Sequence, residues 1–128
     1  MDNRELFLKA EEATKHAYAP YSNFRVGAAV LTKSGEVYMG ANMENSSYGA
    51  SICAERVGVT KALYDGHREF EAIAVAVDAP GAAWPCGICR QFIFEFGDDI
   101  KIIAGPDADH LECYPIKDIL SHGFRLDH

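Results

Sequence analysis

The stretch Ala72-Ile73-Ala74-Val75-Ala76-Val77 consists of apolar residues only, without any polar alternation. A strand of this kind is covered on both of its faces, as is typical of the centre of a sheet that lies between helices. We therefore predict a central β-strand here, flanked by helices.

The sequence before this strand predicts a helix followed by a hairpin. Apolar residues at helical spacing indicate an amphipathic helix over residues 3 to 18, ended by Pro20. Residues 25 to 32 and 36 to 42 are β-prone runs separated by Ser34-Gly35, which favours an antiparallel hairpin.

Two further helices are predicted to carry cysteines near their starts. Ser51 is the expected cap of a helix with Cys53 in its first turn and its end near Asp65-Gly66. Pro85 suits the first position of another helix, which places Cys86 in its first turn.

The remaining residues complete the predicted architecture. Residues 100 to 104 indicate a strand, and residues 111 to 114 a short edge strand before a last helical turn through Ile119. This order predicts a three-layer α/β/α sandwich around a mixed sheet of about five strands. A chain of 128 residues with 48% apolar content is expected to form a single domain over residues 1 to 128.

Composition excludes several classes of partner. No apolar stretch approaches the roughly 20 residues of a membrane span, and the charged, amphipathic amino terminus does not resemble a signal peptide, so we expect a cytoplasmic protein without a membrane partner. A net charge of -7 without a basic cluster disfavours a nucleic acid polymer as substrate. A small neutral substrate fits better.

Three cysteines stand in two short motifs, Cys53-Ala54-Glu55 and Pro85-Cys86-Gly87-Ile88-Cys89. A C-x-x-C pair alone is also compatible with a structural zinc half-site or a redox pair. With a third cysteine beside a carboxylate, the set supplies three ligands for Zn²⁺ and leaves the fourth tetrahedral position open. We therefore predict a catalytic zinc site formed by Cys53, Cys86 and Cys89.

The same motifs are those of zinc deaminases, which use a glutamate outside the ligand set as general acid and base. Together with Ala19-Pro20-Tyr21-Ser22-Asn23-Phe24-Arg25-Val26-Gly27-Ala28-Ala29 and Asn42-Met43-Glu44-Asn45, the chain resembles the homotetrameric cytidine deaminases over nearly its whole length. The resemblance implies the cytidine deaminase-like fold, one zinc ion per chain, and hydrolytic deamination of cytidine and deoxycytidine in pyrimidine salvage.

Glu55 and Arg56 take separate roles in this interpretation. Glu55 lies two positions after a ligand and is expected to be the catalytic proton shuttle. Three thiolates and Zn²⁺ carry a formal charge of about -1, counting each thiolate as -1. Arg56 is expected to be buried and to offset this charge by donating to sulfur, as the family uses an arginine at this place.

The resemblance also implies the substrate contacts. Asn42 and Glu44 match the ribose-binding residues, Phe24 matches an aromatic wall, and Ala54 belongs to the same substrate site. A carboxylate at position 44 repels a phosphate on the sugar, so nucleosides should be preferred to nucleotides. Without this context, Phe24 could be a core aromatic, and Asn42 and Glu44 could be turn residues.

Neighbouring chains complete each active site in the resembling family. Tyr48 and Phe124 match those contributors, although the family often has Leu-Pro-x-x-Phe where this chain reads Leu120-Ser121-His122-Gly123-Phe124. A homotetramer with shared active sites is therefore expected. Trp84 and Ala41 are further departures from the family pattern, with no functional consequence that the sequence reveals.

Cys113 allows an alternative in which a fourth thiolate closes the metal site into a structural cage. We instead expect a buried free thiol in a β-strand. The histidines have no ligand spacing to the cysteines and are expected at the surface; they are His16, His67, His110, His122 and His128.

Three other functions compete with cytidine deamination. They are deamination of a related aminopyrimidine such as blasticidin S, editing of polynucleotides, and a zinc-stabilised binding module without catalysis. The acidic net charge of the chain disfavours the editing of polynucleotides, and the presence of Glu55 disfavours a binding module without catalysis.

Overall fold

The structure, a computed structural model, describes all 128 residues and contains three α-helices and five β-strands. The helices are α1 (Asn3–Ala13), α2 (Ala54–Tyr64) and α3 (Gly87–Phe94). The strands are β1 (Val26–Thr32), β2 (Val37–Ala41), β3 (Phe70–Val77), β4 (Lys101–Ala104) and β5 (Glu112–Pro115). Short 3₁₀ turns cover Thr14–His16, Tyr48–Ala50 and Ile116–Asp118.

The five strands form one sheet in the order β2-β1-β3-β4-β5, so the all-apolar run lies at its centre. Strand β3 pairs antiparallel with β1 and parallel with β4, while β2 and β5 are antiparallel edge strands. The predicted mixed five-stranded sheet, including the hairpin and the edge strand, is confirmed.

The helices cover both faces of the sheet. On one face, Leu6, Phe7 and Ala10 of α1 pack against small side chains of β1 and β3. On the other face, α2 and α3 bury Val59 and Ile93 against the sheet. The predicted three-layer α/β/α arrangement is therefore confirmed, and each face excludes water from the central strand.

Two glycines let helix backbones lie directly on the hairpin. A Cβ atom at Gly27 would be 2.1 Å from the carbonyl oxygen of Ala10 in α1. On the opposite face, a Cβ atom at Gly40 would be 2.4 Å from the carbonyl oxygen of Ala54 and the amide nitrogen of Gly58 in α2. No other residue type fits either position without a shift of backbone.

The helix boundaries differ from those predicted. Helix α1 begins after an Asp2 cap, whose carboxylate accepts from the Glu5 amide at 2.8 Å, and it ends at Ala13 rather than at residue 18. The Thr14 hydroxyl donates to the Glu11 carbonyl, the chain tightens into a 3₁₀ turn, and the backbone is extended by Ala17.

The predicted N-caps of α2 and α3, the helices that follow Cys53 and Cys86, were also wrong. Cys53, not Ser51, is the N-cap of α2, and Cys86 is the N-cap of α3, so Pro85 precedes that helix instead of starting it. The Ser51 hydroxyl instead accepts from the Asn45 amide at 3.1 Å. Both cysteines therefore lie immediately before their helices rather than inside the first turn.

None of the helices is both long enough and apolar enough to cross a membrane.

Candidate active site and metal centre

The side chains of Cys53, Cys86 and Cys89 meet at one point of the structure. Their Sγ atoms all lie within 4.8 Å of one another, and those of Cys53 and Cys86 are 3.9 Å apart. Thiolates at about 2.3 Å from a tetrahedral Zn²⁺ lie about 3.8 Å from each other. The spacing and the soft donors therefore fit a zinc ion.

The fold brings these sulfurs together because the amino-terminal ends of α2 and α3 lie next to each other. Cys53 and Cys86 are N-caps, and Cys89 is a buried residue in the first turn of α3. The amino-terminal end of a helix carries partial positive charge, which favours thiolate over thiol. Each helix start therefore prepares its cysteine to bind a cation.

The pKa values of the cysteine thiols also indicate a site for a cation. A hydrogen bond from Cys89, and another from Arg56, lower the pKa of Cys53 to about 5 against the opposing effect of burial. The hydrogen bond to Cys53, together with burial, raises the pKa of Cys89. Thiolates this close repel one another, and a bound divalent cation removes that conflict because it favours the deprotonated form of each ligand.

Arg56 lies beside the sulfurs, half-buried. Its Nη2 donates to the Ser51 carbonyl at 3.4 Å and to Cys53 Sγ at 3.8 Å. Its Nε is buried and has no hydrogen-bond partner within the chain. The guanidinium is thus partnered with sulfur as predicted, but it is less buried than predicted and retains one free donor.

Glu55 is the buried acid of the site. Glu55 is only 4% exposed and lies in the first turn of α2, two positions after Cys53. Burial, and after it the negative charge of Cys53, raise the pKa of Glu55 to about 7. A carboxyl group of this kind both accepts and donates protons near neutral pH.

A cavity of about 190 Å³ opens next to the sulfurs. Cys53, Ala54, Glu55 and Cys86 form its metal-side wall. Its other walls are mostly apolar and comprise Phe24, Val26, Asn42, Val75, Ala83 and Trp84. The structure therefore brings the predicted residues Phe24, Asn42, Ala54 and Glu55 together with the metal ligands.

Asn42 is held at this cavity by two hydrogen bonds. Its Oδ1 accepts from the Val26 amide at 2.9 Å, and its Nδ2 donates to the Phe24 carbonyl at 2.8 Å. Asn42 thereby fixes the segment that carries Phe24. One donor of the Asn42 amide and further acceptor capacity stay available to a ligand.

Glu44 lies in an adjacent cavity of about 370 Å³, not in the one beside the sulfurs. Its carboxylate accepts from the Tyr21 amide at 3.0 Å, from the Ser22 amide at 3.2 Å and from the Ser22 hydroxyl. These bonds, that of the Ser22 hydroxyl first, lower the pKa of Glu44. Sequence reasoning did not identify Tyr21 and Ser22 as the partners of Glu44, because no local spacing relates them.

Tyr48 and Phe124 stay outside the cavity beside the sulfurs. Tyr48 is 77% exposed and lines the adjacent cavity with Glu44, whereas Phe124 is 62% exposed near the carboxyl terminus. The Phe124 carbonyl accepts from Gln91 of α3 at 2.8 Å. Within one chain, neither aromatic ring reaches the metal ligands.

Cys113 is exposed on the edge strand β5, so the prediction of a buried thiol was wrong. Its neighbours on that strand are exposed too, since no element covers this edge. The cluster of sulfurs contains Cys53, Cys86 and Cys89 without Cys113 and without any histidine. The site thus keeps three protein ligands.

Comparison with known proteins identifies the family. Residues 1–105 match the family model "Cytidine and deoxycytidylate deaminase zinc-binding region". A cytidine deaminase from Halalkalibacterium halodurans is 42% identical over 128 residues, covering 99% of this chain and 97% of that protein. One from Sporosarcina psychrophila is 49% identical over 96 residues, covering 75% of this chain and 71% of that protein.

A solved structure shares the whole fold. The crystal structure of cytidine deaminase from Burkholderia pseudomallei superposes with a TM-score of 0.91 at 41% identity, covering 97% of this chain and 100% of that one. Because the sequence match, the fold and the thiolate cluster all agree, the chain belongs to the cytidine deaminase family and carries its zinc-binding region.

Proposed function

We propose that this protein catalyses the hydrolytic deamination of cytidine and deoxycytidine to uridine and deoxyuridine, with release of ammonia. The observation that carries this conclusion is that a buried carboxyl, Glu55, lines one cavity together with Cys53 and Cys86, whose thiols form a cluster with that of Cys89. A closed structural zinc site would lack both the cavity and the acid.

The chemistry needs one activated water and two proton transfers. Cys53, Cys86 and Cys89 would hold the zinc ion, which when bound would supply the acidity that makes water a nucleophile at neutral pH. The Glu55 carboxylate accepts a proton from the attacking water and delivers it to N3 of the pyrimidine. A second transfer through Glu55 reaches the exocyclic amine, whose bond to C4 breaks as ammonia leaves.

Arg56 supports this reaction without touching the substrate in our proposal. The hydrogen bond to Cys53 withdraws electron density from one sulfur, and the positive charge offsets the excess negative charge of the thiolates. We assign Arg56 as a positioning residue whose role is to keep the metal centre acidic.

The substrate is proposed to lie across the two cavities. The base would enter the cavity with Phe24 and Ala54, and the ribose hydroxyls would reach Asn42 and Glu44. The Glu44 carboxylate uses three of its roughly four acceptor positions within the chain, which leaves room for one sugar hydroxyl. Its negative charge disfavours a phosphate on the same sugar.

We further propose a homotetramer in which neighbouring chains complete each site with Tyr48 and Phe124. Two observations support this. The cavity beside the sulfurs, about 190 Å³, is below the range of about 300–1,000 Å³ that small-molecule sites usually have. Both aromatic residues are exposed in the single chain. Contact with a neighbouring chain would remove these large apolar side chains from water and so would stabilise the assembly.

Subunit mixing tests the shared site. Glu55→Gln and Phe124→Ala chains are each expected to be nearly inactive alone. When they are unfolded and reassembled together, some sites combine an intact Glu55 from one chain with an intact Phe124 from the other, and activity returns. Mixing Glu55→Gln with Cys89→Ser is the control, because both changes lie in the part of the site that one chain supplies. No recovery in the first mixture, or a monomer by light scattering, would contradict the proposal.

The cellular setting is proposed from the cysteines. All four cysteines are free, and three of them form a thiolate metal site, which suits a reducing cytoplasm. We propose that residues 1 to 128 act there as a single domain in pyrimidine salvage.

An ammonia-release assay tests the activity directly. Cytidine and deoxycytidine should be turned over, whereas cytosine, which lacks the sugar, and CMP, which carries the phosphate, should react slowly. Faster turnover of blasticidin S than of cytidine would favour the aminopyrimidine alternative. Absence of ammonia with all five compounds at full zinc loading would refute catalysis.

A further inference from the structure

Trp84 is the one tryptophan of the chain, and it lines the cavity beside the sulfurs. It lies two residues before the ligand Cys86, in the segment that connects β3 to α3. Its ring centroid is 5.6 Å from that of Tyr114 on β5, with an angle of 47° between the rings. The contact with Tyr114 places the indole at the β5 side of the cavity.

Three groups around the cavity have proposed partners on the substrate: the sulfur cluster, Glu55 and Asn42. The sulfurs define where C4 of the pyrimidine must lie, and Glu55 must face N3 to deliver a proton there. The sugar on N1 points toward Asn42, which follows β2 at the opposite edge of the sheet from Tyr114. The remaining edge of the ring, C5 and C6, then faces the wall that holds Trp84.

We propose that Trp84 is a specificity-determining residue that limits the size of substituents at C5 of the pyrimidine. This inference rests on the proposed function and adds to it the class of substrate that the site rejects. The indole is braced by Tyr114 and belongs to the rim of the main hydrophobic core, so it cannot swing away without losing that packing.

The cavity leaves little room for an added methyl group. Its volume of about 190 Å³ is below the range of about 300–1,000 Å³ that small-molecule sites usually have, and Trp84 is the largest side chain on its walls. One methylene more or less in a packed apolar pocket changes the specificity constant by about 10- to 200-fold. Discrimination against 5-methylcytidine should therefore depend on the bulk at position 84.

The test is the ratio of kcat/KM for 5-methylcytidine to kcat/KM for cytidine. We expect Trp84→Ala to raise this ratio by about tenfold or more over the unmodified enzyme. Trp84→Phe, which retains an aromatic wall, should raise it less. Tyr64→Ala is the matched control, because Tyr64 is an aromatic residue at the end of α2 that is 90% exposed and lies outside this cavity. The control should leave the ratio unchanged.

A ratio of two substrates is insensitive to the fraction of enzyme that is folded or loaded with zinc. A merely structural role for Trp84 would lower both specificity constants together and leave the ratio unchanged. Tyr114→Ala removes the brace and should shift the ratio in the same direction as Trp84→Ala, by a smaller factor.

Fluorescence supplies a readout that does not depend on turnover. Since Trp84 is the sole tryptophan, its emission should change when the product uridine is titrated into the unmodified enzyme. An unchanged emission at saturating uridine, established by calorimetry, would overturn the inference even if Trp84→Ala failed to fold.

The outcomes separate this inference from the proposed function. If the unmodified, zinc-loaded enzyme releases no ammonia from cytidine, the proposed function fails. If it deaminates cytidine and the ratio is the same in Trp84→Ala as in the unmodified enzyme, the function stands and the role of Trp84 is refuted.

Discussion

Arg56 donates a hydrogen bond from Nη2 to the Sγ of Cys53 at 3.8 Å, from one helical turn farther along α2. The guanidinium thus approaches a metal-ligating sulfur that also lies 3.9 Å from the sulfur of Cys86. An unpartnered Nε on the same side chain gives the arginine a further donor at this site.

Replacing Arg56 by glutamine should lower kcat by about 10- to 100-fold, the usual effect of removing a residue that supports metal ligands. Zinc should remain partly bound, because the three thiols are untouched. The measurement is kcat normalised to zinc content. Arg4→Gln, which removes an exposed arginine that pairs with Asp109, serves as the control. An unchanged kcat at full zinc loading would rule out the role of Arg56.

Glu55→Gln should reduce kcat by a factor on the order of 10² to 10⁴, as expected for the loss of a general acid-base group. Glutamine has nearly the same volume as glutamate, so the buried position stays filled and zinc stays bound. Activity and metal content are measured on the same preparation. Retention of wild-type activity by the zinc-loaded variant would exclude Glu55 as the proton shuttle.

Replacing Cys89 or Cys113 by serine should have different effects on zinc binding and on the melting temperature. Cys89→Ser removes a buried thiol of the cluster and should abolish most zinc binding and lower the melting temperature, since metal bound to the native state stabilises it. Cys113→Ser changes an exposed thiol outside the cluster and should leave zinc binding and the melting temperature unchanged. Elemental analysis decides; loss of zinc from Cys113→Ser would instead favour the four-thiolate cage.

Glu44→Gln should weaken the preference for cytidine over CMP by about tenfold, equivalent to ~1.4 kcal/mol. The change removes the charge that repels phosphate while keeping one oxygen to accept from the Ser22 and Tyr21 amides. The specificity constants of both substrates are compared. An unchanged preference would show that position 44 does not exclude the phosphate.

The same residue predicts a pH dependence. Hydrogen bonds, that of the Ser22 hydroxyl first, lower the pKa of Glu44 below the ordinary value of a glutamate, so its carboxylate stays ionised in mildly acidic solution. A phosphate monoester, with a second pKa of about 6, loses one negative charge below that pH. Discrimination against CMP should therefore decrease below about pH 6 because of the substrate, whereas loss of the Glu44 charge requires more acidic conditions.

The layers and the strand order could be predicted because they follow from local patterns. An uninterrupted apolar run such as Ala72–Val77 has one stable location, the middle of a covered sheet, and Ser34-Gly35 allows the hairpin that precedes it. The ligand set could be predicted because its spacing and residue types serve few other purposes.

Capping preferences did not predict where the site helices begin. A serine N-cap stabilises a helix by at most about 2 kcal/mol, and tertiary contacts override such local preferences, including that of proline for a helix start. Here the requirement that two sulfurs approach within 3.9 Å coincides with Cys53 and Cys86 as caps in place of Ser51 and Pro85. A local rule cannot include a partner that lies on a different helix.

Cys113 and Trp84 show a second limit of the sequence. Whether a residue on a short edge strand is buried depends on what covers the edge, and nothing covers β5 at Cys113. Trp84 lies in a connecting segment whose path no periodicity defines, so only the structure places it in the cavity.

Gly27 and Gly40 allow the backbones of α1 and α2 to lie directly against the hairpin from opposite sides. Asn42 follows directly after this hairpin, and Glu55 lies in the first turn of α2, the helix that rests on Gly40. The spacing between Asn42 and Glu55, the groups that we propose for sugar binding and for proton transfer, therefore depends on contacts between main-chain atoms, which no change of side-chain rotamer can relieve. An added methyl group at Gly40 would force α2 away from β2 and would therefore change the position of Glu55 relative to Asn42.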